Sequence, residues 1–230
     1  ISSNSCIRSK QRAPIFNCYA TMQFHINNEA MQLLSSQESW LSDEVITAYF
    51  ELLQQRATSE TNLPKIKTLD TYFFTSLTNR GPSAVQGRFK KCNINELDLV
   101  LIPVNYNNNH WALAVYDLKE GSIYWIDSIP DDKSTELELL RSAGSKLFGN
   151  RALDLAKVDA PTQNNTWVCG EFTCAYAESV ARRAPIDFAT CNLRDQLRLQ
   201  ILNSQKKNKK TFMLHLFFTC GFTRNLSVKV

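Results

Sequence analysis

Apolar residues recur along this chain at two spacings, and the spacings sort most of it into elements. Val45, Ala48, Tyr49, Leu52 and Leu53 fall at i, i+3, i+4, i+7 and i+8, the stripe of a helix buried on one side. Ser42 stands before it at an N-cap position, and Asp43 and Glu44 in the first turn complement the helix dipole. Ahead of it, a short strand is predicted over Met22–Ile26 and a short helix over Glu29–Leu34 behind Asn27 and Asn28. Residues 57–68 are polar and read as a connection. Thr71–Leu77 is apolar and aromatic without a clear period, so its type stays open, and Gly81-Pro82 marks a turn.

Leu97–Val104 is an apolar run of strand length that Pro103 is expected to end. After the polar Asn105–Asn109, two strands are predicted over His110–Tyr116 and Ser122–Asp127, joined as a hairpin by residues 117–121. Helical spacing returns over Lys133–Leu147, and Asp154–Asp159 reads as a further strand. The polar loop Pro161–Val168 leads into a helix that opens at Cys169. Its stripe is Phe172, Ala175, Tyr176, Ser179 and Val180, and Pro185 is expected to stop it. A last helix is predicted over Asn192–Leu202. Central strands flanked by helices give a single α+β domain over residues 21–205. Residues 1–20 read as a loose lead-in and 206–230 as a tail outside the fold.

Composition changes this picture little. At 43% hydrophobic and 21% charged, the 230 residues fall in the globular range. No run of 18 apolar residues is present, so no membrane-spanning helix and no membrane partner are expected. Charge matters more. The formal net charge is +4, but Lys206, Lys207, Lys209, Lys210, Arg224 and Lys229 sit in the tail, which has no acid. The body is therefore slightly acidic, and nucleic acid is not an expected partner. The basic cluster at Lys206–Lys210 has the look of a nuclear-localisation or phospholipid patch, or of a plain appendage.

The seven cysteines (Cys6, Cys18, Cys92, Cys169, Cys174, Cys191 and Cys220) form no CxxC pair, and no zinc-type spacing or other metal set is present. The first residues lack the apolar core of a signal peptide, and the chain reads as a piece of a longer one. The expectation is an intracellular protein with reduced thiols, in the nucleus or cytoplasm.

A free thiol can be a nucleophile, and the residues around Cys169 fit that chemistry. The sulfur would sit at a helix N-terminus, which stabilises an anion and lowers a thiol pKa. His110 opens a strand at the rim of the sheet, where a base reaches solvent. With the hairpin loop centred on Leu118 and Lys119, Asp127 falls opposite His110 and can orient its ring. Gln163, in the loop before Cys169, could donate an amide N–H to an oxyanion beside the Cys169 backbone N–H. Gly170 would let a substrate backbone approach closely. Each residue alone has an ordinary explanation. His–Asp pairs occur on surfaces, most cysteines are structural (Cys174, one turn into the helix, fits that best), and a loop Gln says little.

Together these residues resemble the SUMO-specific, or ubiquitin-like-protein-specific, cysteine proteases of the adenain-like clan. The resemblance runs through Trp40-Leu41-Ser42-Asp43-Glu44-Val45-Ile46, Thr71-Tyr72-Phe73-Phe74, His110-Trp111-Ala112-Leu113, Asp127-Ser128, Pro161-x-Gln163 and Cys169-Gly170. It continues in Phe172-Thr173-Cys174-x-Tyr176-Ala177 and Pro185-Ile186-x-Phe188. It implies a papain-like, adenain-like cysteine protease fold, with a central mixed sheet flanked by helices. It implies Cys169 as nucleophile, His110 as base and acid, Asp127 as its orienter and Gln163 in the oxyanion hole. Trp40 and Trp111 would cover a narrow tunnel for the Gly-Gly end of a modifier, and Asp43 would lie on the modifier-binding surface or merely assist the helix start. The implied partners are SUMO or another ubiquitin-like modifier and its conjugates, with no cofactor.

Two positions depart from the family pattern. Val168 stands where an Asp usually precedes the nucleophile, and Ser42 stands where Asn is usual. The stretch from Asp127 to Cys169 is also short, nearer the deneddylase-like branch. The expected function is a thiol protease that cleaves after the C-terminal Gly-Gly of SUMO, in deconjugation, precursor processing or both. Two other readings stay open on sequence: a deneddylase or deubiquitinase with the same triad, and a catalytically inactive relative that binds a modifier.

Overall fold

The computed structural model describes residues 26–186 and 194–204. The expected lead-in, most of the predicted Met22–Ile26 strand and the basic tail lie outside the described residues. At the centre, β1 (Ile66–Thr68), β2 (Leu99–Tyr106), β3 (His110–Asp117), β4 (Ser122–Ile126) and β5 (Asp154–Leu155) form a five-stranded sheet in chain order. The outer pairs β1–β2 and β4–β5 are parallel and the inner pairs antiparallel, which makes the sheet mixed.

The central strands are buried on both faces, and their parity builds two cores. Leu99, Leu101, Trp111, Leu113, Val115 and Ile126 point to one. Val100, Ile102, Val104, Ala112, Ala114 and Tyr116 point to the other. This is why Leu97–Val104 reads as a continuous apolar run with no alternation. On the first face lie α1 (Asn28–Ser35), α2 (Asp43–Ser59), α6 (Cys169–Ala181) and the helical residues 194–204. On the second lie α3 (Phe73–Arg80), α4 (Pro82–Val85) and α5 (Ser134–Leu147). The architecture is α+β, with helices on both sides of a central mixed sheet.

Capping residues start the helices where polar side chains allow it. The Asn27 side chain accepts the Ala30 N–H at 2.8 Å, and Ser42 accepts that of Val45 at 3.5 Å. Gly81, at φ +75°, closes α3 in the left-handed region. No helix among the described residues is long and apolar enough to cross a membrane.

The structure corrects several expectations. Residues 57–68 are not merely a connection, because they hold the end of α2 and β1. Thr71–Leu77 resolves mostly into α3, burying Phe73, Phe74 and Leu77 on one side. Pro103 lies inside β2 rather than ending it. Leu101 turns its carbonyl to the Leu69 N–H on the β1 side. Pro103, two residues on, faces the same edge beyond the end of β1, where no N–H is needed. The Asp154–Asp159 strand shrinks to two residues. In α6, Ala175 and Ser179 are only half-buried, while Cys174, Ala177 and Ala181 are buried. Helix α6 ends at Ala181, ahead of Pro185, with Arg183 left-handed at φ 53°.

Candidate active site

One tight turn sets the rim on which His110 stands. Asn107 and Asn108 both take positive φ, 52° and 57°, and reverse the chain between β2 and β3. Asn is among the few residues that tolerate this conformation. His110 is then the first residue of β3, paired with Tyr106. The β3–β4 hairpin pairs Leu113 with Ile126 and Asp117 with Ser122. That register is two residues from the expected one, so Asp127 continues β4 toward Ala112 rather than His110. A shift of two keeps side chains on the same face, whereas a shift of one would have separated them. The contact therefore survives: His110 Nε2 lies 2.5 Å from Asp127 Oδ1.

The Asp127 carboxylate is fixed from several directions. Its Oδ1 also accepts the Ile129 N–H at 2.9 Å, and its Oδ2 accepts the Trp125 indole N–H at 3.2 Å. A carboxylate has no proton to give, so His110 donates from Nε2 and keeps Nδ1 for a second partner. Cys169 lies close enough to the ring to act on its charge. Burial opposes a charge on His110. Hydrogen bonds to Asp127 and Cys169, and the charges on both, outweigh it and push its pKa up to about 9.

Cys169 is buried at the first position of α6. The loop before it is organised by two polar side chains. Asn165 Oδ1 accepts the N–H groups of Trp167 and Val168, each at 3.2 Å. Gln163 binds Ser128 twice. Its N–H donates to the Ser128 carbonyl at 2.9 Å, and its Oε1 accepts the Ser128 hydroxyl at 2.6 Å. The second bond turns the amide so that Nε2 is the outward donor, with one N–H on the Asn165 carbonyl at 2.6 Å and a second left over. The Tyr176 hydroxyl holds the start of the loop through the Pro161 carbonyl. Ser128, buried beside Asp127, thus ties the end of β4 to the approach to Cys169. Sequence reasoning assigned no role to Ser128 or Asn165. An Asn three residues before a helix N-cap was the available signal.

The remaining expected residues divide. Trp40 is 46% exposed and donates its indole N–H to the Thr166 carbonyl at 2.8 Å, so it lies across the loop before Cys169. Trp111 is buried and donates to the Leu41 carbonyl at 3.0 Å. One indole is thus anchored on the loop before the nucleophile and the other on the residue after Trp40. Asp43 opens α2 and accepts from the Tyr72 hydroxyl at 3.2 Å and Asn105 Nδ2 at 3.5 Å. Gly170 was expected to admit a substrate backbone. Leu41 occupies that space instead, and a Cβ on residue 170 would stand 3.0 Å from Leu41 Cβ. The missing side chain serves internal packing. Cys174 is fully buried, and burial pushes its thiol well up. Among the described residues, no cluster of His, Cys, Asp and Glu could hold a metal ion.

The arrangement has the parts of a thiol hydrolase: a sulfur at a helix N-terminus, an oriented imidazole and amide donors on the same side. Comparison with known proteins agrees with it. Residues 39–214 match the model of the Ulp1 protease family, C-terminal catalytic domain. A sentrin-specific protease of Caenorhabditis elegans is 31% identical over 163 residues, covering 67% of this chain and 23% of its own length. Sentrin-specific protease 2 of Rattus norvegicus is 32% identical over 180 residues, covering 72% of this chain and 30% of its own. The chain thus spans less than a third of the length of these curated relatives. Among solved structures, the C-terminal Ulp1 protease domain in complex with Smt3, the yeast ortholog of SUMO, superposes with a TM-score of 0.72 at 24% identity. It covers 81% of this chain and 86% of that one.

Proposed function

This chain belongs to the Ulp1 protease family, and from that premise we propose that it is a thiol protease cleaving after the C-terminal Gly-Gly of SUMO. One observation carries the reading: His110 is held by Asp127 through Nε2 and lies beside Cys169 at the start of α6. The Cys169 thiolate attacks the terminal glycine carbonyl. The Cys169 backbone N–H and the spare Gln163 amide proton receive the oxyanion. His110, as imidazolium, protonates the departing amine as the carbon–nitrogen bond breaks, leaving a thioester. It then takes a proton from water, which attacks the thioester and frees the modifier. A lysine amine as leaving group gives deconjugation, and a peptide amine gives precursor processing.

Trp40 and Trp111 supply specificity. Two indoles flanking a narrow approach accept glycine and exclude larger residues and water. Asp43, with Tyr72 exposed beside it, belongs to the surface that receives the body of the modifier. Val168 places an apolar side chain where the family usually carries a charge, yet its N–H is held by Asn165 and the helix starts normally. The reduced thiols this chemistry needs place the protein in the nucleus or cytoplasm.

The test is covalent trapping. SUMO, Nedd-type and ubiquitin probes with C-terminal electrophiles are incubated with the protein and with Cys169→Ala. An adduct on Cys169 with SUMO alone, lost in Cys169→Ala together with cleavage of a SUMO–lysine conjugate, supports the proposal. An adduct with another modifier only moves the substrate assignment. No adduct from a folded protein leaves a modifier-binding relative without turnover.

A further inference from the structure

Among the described residues Arg194 is the largest fully buried side chain, 2% exposed, and the catalytic scheme leaves it unused. A buried guanidinium persists only when its donors are satisfied. Here they reach two regions far apart in sequence. Nε donates to Glu171 Oε1 at 2.7 Å, and the NH2 nitrogen lies 2.6 Å from the same oxygen. The NH1 nitrogen donates to the Leu33 carbonyl at 3.0 Å, to the Ser39 hydroxyl at 2.9 Å and to the Ser36 carbonyl. The NH2 nitrogen also reaches the Ser39 carbonyl. The Ser39 hydroxyl in turn donates to the Leu33 carbonyl. The carbonyl of Leu33 in the last turn of α1 and those of Ser36 and Ser39 after it thus converge on one cation.

What the cation joins matters. Glu171 stands two residues after Cys169 in the first turn of α6. Ser39 immediately precedes Trp40 and Leu41. Leu41 packs on Gly170 and accepts the Trp111 indole, while Trp40 bonds Thr166. The segment that carries the outer indole is therefore pinned at its base by Arg194 to the same helical turn that carries the sulfur. Only a planar fork can make this set of bonds at once. An ammonium has the charge but not the geometry.

We propose that Arg194, through Glu171, is a positioning residue that fixes the Trp40 segment over the nucleophile, and so sets how tightly the Gly-Gly end of a modifier is gripped. It touches neither substrate nor reacting atoms. The proposal rests on the protease reading for its kinetic consequence, but not for its structural one.

The experiment uses the whole chain, with Arg194→Lys, Glu171→Gln, Trp40→Ala and Arg194→Lys combined with Trp40→Ala. A loosened rim misplaces substrate, so Arg194→Lys and Glu171→Gln should raise KM for a fluorogenic SUMO substrate about tenfold or more, with kcat little changed. Alkylation of Cys169 by iodoacetamide should keep its rate, because the sulfur and His110 are untouched. In the Trp40→Ala background, Arg194→Lys should add almost nothing. An unchanged KM, an equal loss of alkylation, or a full effect without Trp40 would each overturn the proposal. Hydrogen exchange gives the readout that needs no substrate. Amides of residues 36–41 should exchange faster in Arg194→Lys while those of α5 keep their protection. If wild type turns over no SUMO substrate but residues 36–41 loosen, the protease reading fails and the clamp stands. Unchanged exchange there overturns the clamp whatever the substrate.

Discussion

Replacing Gly170 with alanine asks whether that glycine is there for substrate or for Leu41. A Cβ built on residue 170 stands 3.0, 3.2 and 3.3 Å from Leu41 Cβ, Cγ and Cδ1. Carbon pairs rest at about 3.5–4.0 Å, so the contact is short along the whole side chain. Leu41 is 2% exposed, and moving its Cβ requires a shift of the backbone whose carbonyl accepts the Trp111 indole. Overpacking of this kind costs roughly 1–3 kcal/mol. Against it stands the gain of alanine over glycine in a helix, about 0.5–1 kcal/mol. Gly170→Ala should therefore destabilise by about 1 kcal/mol net. Leu41→Ala alone should cost roughly 2–5 kcal/mol through the void it opens. Alanine at 41 removes the 3.2 and 3.3 Å contacts but keeps the Cβ at 3.0 Å, so in that background the cost of Gly170→Ala should shrink toward zero. The smaller cost without the Leu41 side-chain end is the signature, read as urea-unfolding free energies for the four proteins of the cycle. If Gly170→Ala stabilises equally with and without Leu41, the packing argument is refuted and the substrate-approach reading returns.

Two other outcomes follow from the charge network. The pKa of His110, pushed up to about 9, exceeds the value of about 6.5 for an unfolded histidine. The stabilisation is thus fully present below about pH 6.5 and lost as pH rises through about 9. Wild type should exceed Asp127→Asn in unfolding free energy by up to roughly 3 kcal/mol at pH 6, with the gap closing by pH 10. A gap that does not change with pH would contradict this. At the far end of β3, Arg183 donates from NH2 to buried Asp117 at 2.9 Å. Arg183→Met should cost about 1–3 kcal/mol, because the Asp117 carboxylate keeps only the Glu120 N–H, and adding Asp117→Asn should recover much of the loss. Near-wild-type stability of the single variant in urea would refute the assignment.

The parts of this molecule that were legible in sequence are those written locally. Ser42 with Asp43 and Glu44 marks the start of α2, and Cys169 after a polar loop marks that of α6. Strand β1 left no trace, because Lys65-Ile66-Lys67-Thr68 offers one apolar residue and no alternation. It forms because β2 presents an edge and α2 a surface. Phe73 and Phe74 suit a strand as well as a helix, and only their packing against β2 decides. The hairpin loop lies one residue later than expected, which shifts the register by two, since Gly121 (φ 70°) lets the turn close around 118–121. The expected His110–Asp127 contact nonetheless exists, because a shift of two preserves the face. Bonds such as Arg194 to Ser39 and Ser128 to Gln163 join distant residues, and no local pattern announces them.

The clamp also has a consequence in time. Ser39 and Arg194 are 155 residues apart. At about 5–20 residues per second, the ribosome needs roughly 8–30 seconds to travel from one to the other. Throughout that interval the Trp40 segment has been made but its anchor has not. Contacts of such separation also form late in folding, after the local helices and hairpins. A nascent chain therefore carries its sulfur, imidazole and carboxylate before the residue that pins the Trp40 segment has been made. On the proposed function, competence to grip a substrate would arrive only with the last helix of the described residues, well after the reacting groups themselves.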